Sequence, residues 1–167
     1  VKANVAVWPI RFSAASQDLA ALYDTMQSQT SQIQNFLKNE GFSPEEITIA
    51  APVITDKYAQ QYGGDGNVAL RYTAHQTITV YTKNIDTVRS AQSRLVDLGK
   101  NGIAFGGEDY GQRTEYLYTQ FNDIKPAMIE QATQNARSVA EKFAADSDSR
   151  LGKIKSANQG VFSIEDR

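Results

Sequence analysis

The sequence feature that most limits the possible folds is the run at residues 68–82, VALRYTAHQTITVYT. Its apolar and polar side chains alternate, and because side chains of an extended chain repeat every two positions, the two sets fall on opposite faces. One face collects Leu70, Tyr72, Ala74, Ile78 and Val80, and the other Arg71, Thr73, His75, Thr77, Thr79 and Tyr81. The pattern predicts a half-buried β-strand. At about 3.3 Å per residue it spans roughly 50 Å, against about 17–20 Å for a usual strand.

Helices are predicted where apolar residues recur at helical spacing. Ser16 or Asp18 caps the first helix, and Gly41 ends it by accepting a positive φ. Gly99 is the predicted end of the second helix. The first predicted helix runs from this cap to about residue 39, the second covers residues 84–99, and the third follows residues 122–123 and runs to about residue 146.

The remaining β-rich stretches predict further strands around the long one. Pro9 in the first of them favours an edge strand or a bulge, because proline cannot donate to a sheet ladder. The predicted strands are 4–12, 47–55, 68–82, 102–106, 113–121 and 151–164. The fold class that follows is α+β, a mixed sheet with three helices on one face in the order βαβ-βαβ-βαβ. A length of 167 residues suits one domain covering 1–167.

The second helix is shorter than the strand that it should cover. About 16 residues of helix reach only about 24 Å, so part of a 50 Å strand must bend or project. We therefore expect residues 57–67, which contain three glycines, to form an arm that packs on another subunit. The alternative is a strand kinked by a bulge within one subunit.

Composition excludes several classes of function. The net charge of -2 comes from 17 basic and 19 acidic residues spread along the chain, which gives no electrostatic footprint for nucleic acid. The chain has no cysteine, so disulfides and thiolate chemistry are excluded, and an oxidising compartment is compatible with it. No apolar run approaches the ~20 residues of a membrane span. Because the chain starts at Val1, we expect that a leader or an anchor has been removed.

Residue types with catalytic potential are few. His75 is the single histidine, and without clustered carboxylates it provides neither a triad nor a metal site, so no catalytic, metal or cofactor residues are predicted. The pair Glu45 and Glu46 is interpreted as a solvated helix start. Tyrosines are more suggestive of binding, since tyrosine buries area while keeping a polar tip. The candidate binding residues are Tyr58, Tyr62, His75, Tyr116 and Tyr118.

Four segments carry a resemblance to a known family. They are FLKNEGFSPEEITI (36–49), RYTAHQTITVYTKNIDTV (71–88), LGKNGI (98–103) and AMIEQATQNARSVAEKFAADSDSRLGKIKS (127–156). The chain resembles the SIMPL-domain family, whose bacterial members are mostly exported envelope proteins. The resemblance implies an oligomer-forming domain without an agreed enzymatic activity, linked to oxidative-stress defence in some bacteria and to surface antigens in others; the animal member is a signalling adaptor. It transfers no catalytic residues, and it implies that the outermost N- and C-terminal strands are missing here.

The expected function is that of a non-enzymatic protein of the periplasm or cell envelope that assembles into homo-oligomers through sheet edges and the arm at 57–67. A second possibility is a binding module, in which the open sheet face takes a small molecule or a glycan through Tyr116, Tyr118 and His75. A hydrolase that uses a serine or a carboxylate pair is the third. None of these three hypotheses involves binding to nucleic acid or a membrane span.

Overall fold

The computed structural model describes residues 2–60, 70–106, 113–158 and 160. The chain divides into two compact units, Val1–Leu117 and Tyr118–Arg167. The elements of the first unit are β1 (Val5–Ser16), α1 (Leu19–Asn39), a 3-10 turn (Pro44–Glu46), β2 (Ile47–Ile49), β3 (Val53–Asp56), α2 (Lys57–Gln60), β4 (Tyr72–Thr82), α3 (Ile85–Lys100), β5 (Ala104–Phe105) and β6 (Glu115–Leu117). The second unit contains α4 (Phe121–Asp146).

The sheet is built on the antiparallel pair β1 and β4, which match from Ala6 opposite Thr82 to Ser16 opposite Tyr72. β2 and β3 pair with β4, and β5 and β6 pair with β1. The α+β class is confirmed. Every strand pair among the described residues is antiparallel, which corrects the expected mixed sheet. The reason lies in the strand order. α1 connects β1 to β2, which lie on either side of β4, and α3 connects β4 to β5, which lie on either side of β1. The strands of each of these parallel pairs are therefore not neighbours in the sheet.

The position of Pro9 differs from the expectation of an edge strand. β1 lies inside the sheet, with Pro9 opposite Thr79 of β4. On its other side, β6 pairs only with residues 5–7 and β5 only with residues 12–13. Pro9 falls in the gap between them, where the missing N–H breaks no described pairing, so a central strand tolerates the proline.

The predicted strand at 47–55 is present as two pieces with a bulge between them. Ile49 lies opposite Ile78 and Val53 opposite His75, so three residues on one strand face two on the other. Pro52 occupies this bulge. A bulge with proline makes a poor template for a further strand, because it interrupts the row of outward N–H groups.

α1 and α3 pack on one face of the sheet and bury one core. α1 supplies Leu22, Met26, Ile33 and Leu37, and β1 and β4 supply Trp8, Ile10, Phe12, Ala74, Ile78 and Val80. α3 adds Val88 and Ala91 to the same cluster. Two of the three helices that were expected on this face, α1 and α3, pack there. The third, α4, belongs to the second unit.

The ends of the first two long helices follow from their capping residues. The Asp18 carboxylate accepts the N–H of Ala21 at 2.7 Å at the start of α1, and Gly41 follows its end with φ at 100°, both as predicted. Asn84 caps α3. The predicted stop at Gly99 is wrong: α3 runs on to Lys100, and the residue with positive φ, 97°, is Gly102.

The long strand is shorter than predicted. β4 has 11 residues, about 37 Å at 3.4 Å per residue, and Leu70 and Arg71 are not part of it. α1 packs on both β1 and β4, whereas α3 packs on β1, so the expectation that α3 alone must cover the long strand is wrong. Of the predicted arm, residues 57–60 form α2, and residues 61–67 lie outside the described residues.

The second unit consists of α4 and the segment after it. Helix α4 has 26 residues and carries Pro126 inside. The predicted last strand is not formed over residues 151–158, which have no regular secondary structure and pair with no described strand; residues 161–164 lie outside the described residues. None of the helices that the structure describes is long and apolar enough to cross a membrane.

Candidate functional site

The face of the sheet opposite α1 and α3, here called the outer face, carries the polar half of the alternating pattern. The predicted alternation is confirmed for residues 72–82, since every second residue from Ala74 to Thr82 is buried, Gln76 included, while the residues between them are half-buried or exposed. The outer face collects Ser13, Thr73, His75, Thr77, Thr79 and Tyr81. Tyr81 is 52% exposed. Along β4, this face presents polar side chains that alternate with the buried ones.

His75 lies on the outer face, directly opposite Ser13 of β1 and Val53 of β3. A serine next to a histidine suggests a nucleophile and a base, but the base also needs a group that orients its second nitrogen. The other cross-strand neighbour of His75 is an aliphatic side chain, which cannot accept that hydrogen bond. The arrangement is therefore a cross-strand pair of a sheet surface.

The structure separates the tyrosines from His75. Tyr116 lies opposite Ala6, on the face that α1 and α3 cover, and it packs against the core with the Arg89 guanidinium 5.3 Å from its ring centroid. Tyr118 is half-buried and belongs to the second unit. Tyr62 lies outside the described residues. Tyr116 and His75 thus point to opposite sides of the sheet and do not line one pocket.

Tyr58 belongs to a cluster at the base of the segment between β3 and β4, here called the clasp: Asp56, Tyr58, Arg71 and Tyr72. Arg71 donates from Nε to Asp56 Oδ1 at 3.0 Å and from Nη2 to Oδ2 at 2.7 Å. Its guanidinium carbon lies 5.2 Å from the Tyr58 ring centroid and 4.8 Å from that of Tyr72. A planar cation held by a carboxylate fork and two rings is an arrangement that arginine makes and lysine does not.

Electrostatics within the clasp follow from these contacts. The hydrogen bonds from Arg71 lower the pKa of Asp56, against the opposing effect of its partial burial, and the backbone N–H of Tyr58 adds to the lowering. The same carboxylate raises the pKa of Arg71. The clasp therefore joins the two ends of the 57–70 connection as a fixed ion pair.

A second carboxylate, Glu46, was interpreted from the sequence as solvated and is instead a hydrogen-bond acceptor at the end of β4. It accepts from Thr82 Oγ1 at 2.5 Å and from the Ser43 N–H at 2.8 Å. Burial alone raises the pKa of Glu46, but the hydrogen bonds from Thr82 and Ser43 outweigh it and the pKa is lowered. The contact of Glu46 with Ser43 is local and follows from the sequence. The contact with Thr82 does not, because Thr82 lies 36 residues away in the chain.

Two buried glutamines lie between α1 and the sheet, and sequence reasoning did not single them out. Gln76, 7% exposed, accepts from Thr30 Oγ1 at 3.0 Å and donates from Nε2 to the Ala50 carbonyl at 2.9 Å, at the bulge. Gln29, 8% exposed, has a buried Oε1 with no hydrogen-bond partner. The available signal was a glutamine at a position of the helical stripe that is otherwise apolar.

Helix α4 exposes most of its apolar stripe. Val139 is 69% exposed and Phe143 is 74% exposed, and Ala144 is the only buried residue of this helix. The apolar residues at helical spacing that form this stripe are Met128, Ile129, Ala132, Ala136, Val139, Ala140 and Phe143. Exposed apolar side chains that repeat along one helix are typical of surfaces that contact another protein.

The fold and these surfaces define an α+β protein with an antiparallel sheet in the strand order β2-β4-β1-β5 and helices α1 and α3 on one face. A family model described as SIMPL, protein of unknown function (DUF541), matches residues 1–165. The chain therefore belongs to the SIMPL family, as the resemblance in sequence indicated. No curated protein matches it.

Proposed function

We propose that the protein is a non-enzymatic subunit of an exported envelope assembly, and that it self-associates through the apolar stripe of α4. The observation that carries the proposal is the exposure of Val139 and Phe143 in a helix of 26 residues. An amphipathic helix is stabilised in water mainly by burying its apolar stripe against another element. A second copy of the chain offers the same stripe, as a two-fold symmetric contact requires.

The alanines of the stripe support a helix-to-helix contact. Ala132, Ala136 and Ala140 recur every four residues, so they lie along one line on the helix surface. Small side chains let two helices approach closely, while Ile129 and Phe143 at the ends of the line supply larger apolar area. The contact is therefore proposed along residues 128–143 of the helix, about 24 Å at 1.5 Å per residue.

The sheet edges, which the sequence also suggested as assembly surfaces, contribute less in this proposal. One edge is interrupted by the bulge at Pro52, and the strands on the other side, β5 and β6, have two and three residues. Interrupted and very short edge strands are devices that discourage further pairing. The 57–67 segment remains in the proposal as a second contact, whose base the clasp of Arg71 and Asp56 fixes.

Two further parts of the proposal are export to the envelope and a link to oxidative-stress defence. They come from the resemblance to bacterial family members, and the lack of cysteine suits an oxidising compartment. Fractionation of cells that express the natural gene tests the location. A chain found with the cytosolic markers contradicts export.

The self-association proposal is tested with variants of the stripe. We expect Phe143→Glu, and more strongly Val139→Glu with Phe143→Glu, to lower the mass in solution by light scattering, because a charge cannot be buried unpaired in an apolar contact. Both side chains are exposed, so the fold is expected to stay intact by circular dichroism.

Ser138→Glu is the matched control. Ser138 is exposed, lies on the opposite side of α4, and its replacement stands four residues before Lys142, a favourable helical pair. The control should keep the native mass. Equal masses for the control and the stripe variants contradict a contact through the stripe.

A further inference from the structure

The apolar stripe of α4 follows a repeat of seven residues. Its inner positions alternate at steps of four and three along the chain, which is the pattern of helices that pack side by side at a crossing angle of about 20°. A period of seven keeps the same side of the helix toward a neighbour over the length of the repeat. The inner positions are Ile129, Ala136 and Phe143 in one set, and Lys125, Ala132, Val139 and Asp146 in the other.

The repeat has one charged residue at each end, and neither charge suits the helix itself. Asp146 is the last residue of α4, where the helix dipole is negative, and the last turn has no basic residue. Lys125 lies in the second turn, at an inner position where an apolar side chain is expected. The four ion pairs of the described residues include neither side chain. Both side chains are accessible to water, Lys125 partly and Asp146 more fully.

The chain that follows α4 leaves the C-terminal end of the stripe open. The Ser149 N–H donates to the Ala144 carbonyl at 2.8 Å, so the chain turns back beside Ala144. Ala144 is 8% exposed, whereas Phe143 is 74% exposed. A second helix therefore has access to Phe143 and Asp146 without displacing this turn.

Two orientations of a second copy place the charges differently. In a parallel pair each inner position faces its own counterpart, so Lys125 faces Lys125 and Asp146 faces Asp146. In an antiparallel pair the N-terminal end of each helix lies beside the C-terminal end of the other. Opposite charges then meet at both ends, and the two helix dipoles oppose each other, which is the favourable arrangement.

We propose that two copies of α4 pack antiparallel, with Ile129 of each copy facing Val139 of the other. This inference rests on the self-association proposed above and specifies its partner orientation and register. It extends the contact by about one turn at each end of residues 128–143, to include Lys125 and Asp146.

The register fits the sizes of the side chains as well as the charges. It sets Ala132 of one copy against Ala136 of the other at the centre, where small side chains let the helices approach. It sets Lys125 against Phe143 at each end, where the lysine methylenes lie on the ring and the ammonium group contacts its face. The Asp146 carboxylate lies one helical turn beyond Phe143, within reach of the same ammonium group.

The test uses single cysteine variants of the full chain, which has no cysteine of its own. Ile129→Cys and Val139→Cys, one of them carrying a short tag that changes its mass on a gel, are oxidised separately and as a mixture. We expect the mixture to form the mixed disulfide and neither variant alone to form a disulfide dimer, because facing positions bring the two Cα atoms within about 4.4–6.8 Å.

Ser138→Cys mixed with Ile129→Cys is the matched control, because Ser138 lies next to Val139 but on the opposite side of α4, and this mixture should form no disulfide. Disulfide dimers of Ile129→Cys alone and of Val139→Cys alone, with a native chain that is dimeric by light scattering, overturn the antiparallel register and leave self-association standing. A native chain that is monomeric and forms none of these disulfides overturns both.

Charge reversal tests the two ends of the repeat. Lys125→Asp should weaken the association about tenfold, because like charges replace opposite charges at both ends, and adding Asp146→Lys should restore it. In a parallel pair neither change alters the number of like-charge contacts. Lys153→Asp, exposed and outside α4, is the control for net charge. Sedimentation equilibrium measures the association, and equal association of Lys125→Asp and the native chain overturns the proposed contact of the charges.

Discussion

Arg71 and Asp56 are joined by two hydrogen bonds, Nε to Oδ1 at 3.0 Å and Nη2 to Oδ2 at 2.7 Å, across the base of the segment that links β3 to β4. A backbone hydrogen bond joins the same two ends of the segment, since the Lys57 N–H donates to the Arg71 carbonyl at 3.0 Å. Side chain and backbone together fix where the segment leaves the sheet. The described ends of this connection, residues 57–60 and 70–71, are therefore held together by local contacts.

Breaking the clasp should loosen this base without unfolding the sheet. In Arg71→Ala we expect faster hydrogen exchange at the N–H groups of Lys57 and Tyr58, because the Asp56 carboxylate that receives the Tyr58 N–H is no longer held. Arg71→Lys should behave in the same way, since lysine loses the two-pronged contact and the ring stacking. The global melting temperature should change little, because the pair is only half-buried and water screens its charges.

Lys83→Ala, an exposed cation at the end of β4, is the control for loss of charge. Hydrogen exchange near the clasp should be unchanged in it. If Arg71→Lys protects the two N–H groups as well as the native residue does, the geometry of the fork is irrelevant and the account of the clasp is wrong.

Glu46 makes stability depend on pH. Its pKa in the folded chain is lowered below the ordinary 4.5, so its contribution is present above about pH 4.5 and is lost as the pH falls through the folded pKa. Glu46→Gln should therefore lower the melting temperature at pH 7, and the difference from the native chain should shrink on acidification toward pH 3.

The neighbouring Glu45→Gln provides the comparison, because Glu45 is exposed. Its melting temperature should follow that of the native chain at each pH. If the melting temperature of Glu46→Gln lies below that of the native chain by the same amount at pH 7 and at pH 3, the Glu46 carboxylate is not the source of the difference.

The two faces of β4 should differ in their response to truncation. Ile78 is fully buried, opposite Ile10, and Ile78→Ala should destabilise the fold by about 2–5 kcal/mol through lost burial and the cavity left behind. Thr79, one residue on, lies on the outer face, and Thr79→Ala should cost below about 1 kcal/mol. Urea unfolding measures both, and similar losses for the two variants contradict a core confined to one face.

Ser13 and His75 are predicted to have no catalytic role. The aliphatic Val53 opposite His75 cannot orient the imidazole, so the serine has no activated base. A screen with ester, glycoside and phosphoester substrates should show the same background for the native chain and for Ser13→Ala with His75→Ala. Turnover that the double variant abolishes contradicts the proposal of a non-enzymatic protein.

Local signals in the sequence predicted the local structure. The cap at Asp18, the glycine end at Gly41 and the alternation over 72–82 are each decided by residues within a few positions of one another. In these places backbone preference and pattern agree with the fold, which is the condition under which sequence reasoning works.

Features that depend on distant pairing were not predictable. The central place of β1 despite Pro9 requires that β5 and β6 leave a gap, and the bulge at Pro52 requires knowledge of the register with β4. Among the candidate binding residues, only pairing shows that Tyr116 and His75 lie on opposite faces. In the sequence, Gln76 is a polar residue at a buried position of the strand pattern. Its hydrogen bond to the Ala50 carbonyl, which satisfies it there, depends on the strand pairing.

The central claim is that copies of this chain associate, and the mass in solution tests it most directly. Sedimentation equilibrium of the native chain over a hundredfold range of concentration should give a mass that is a multiple of 18.4 kDa and that falls toward this value on dilution. A mass of 18.4 kDa at every concentration contradicts self-association.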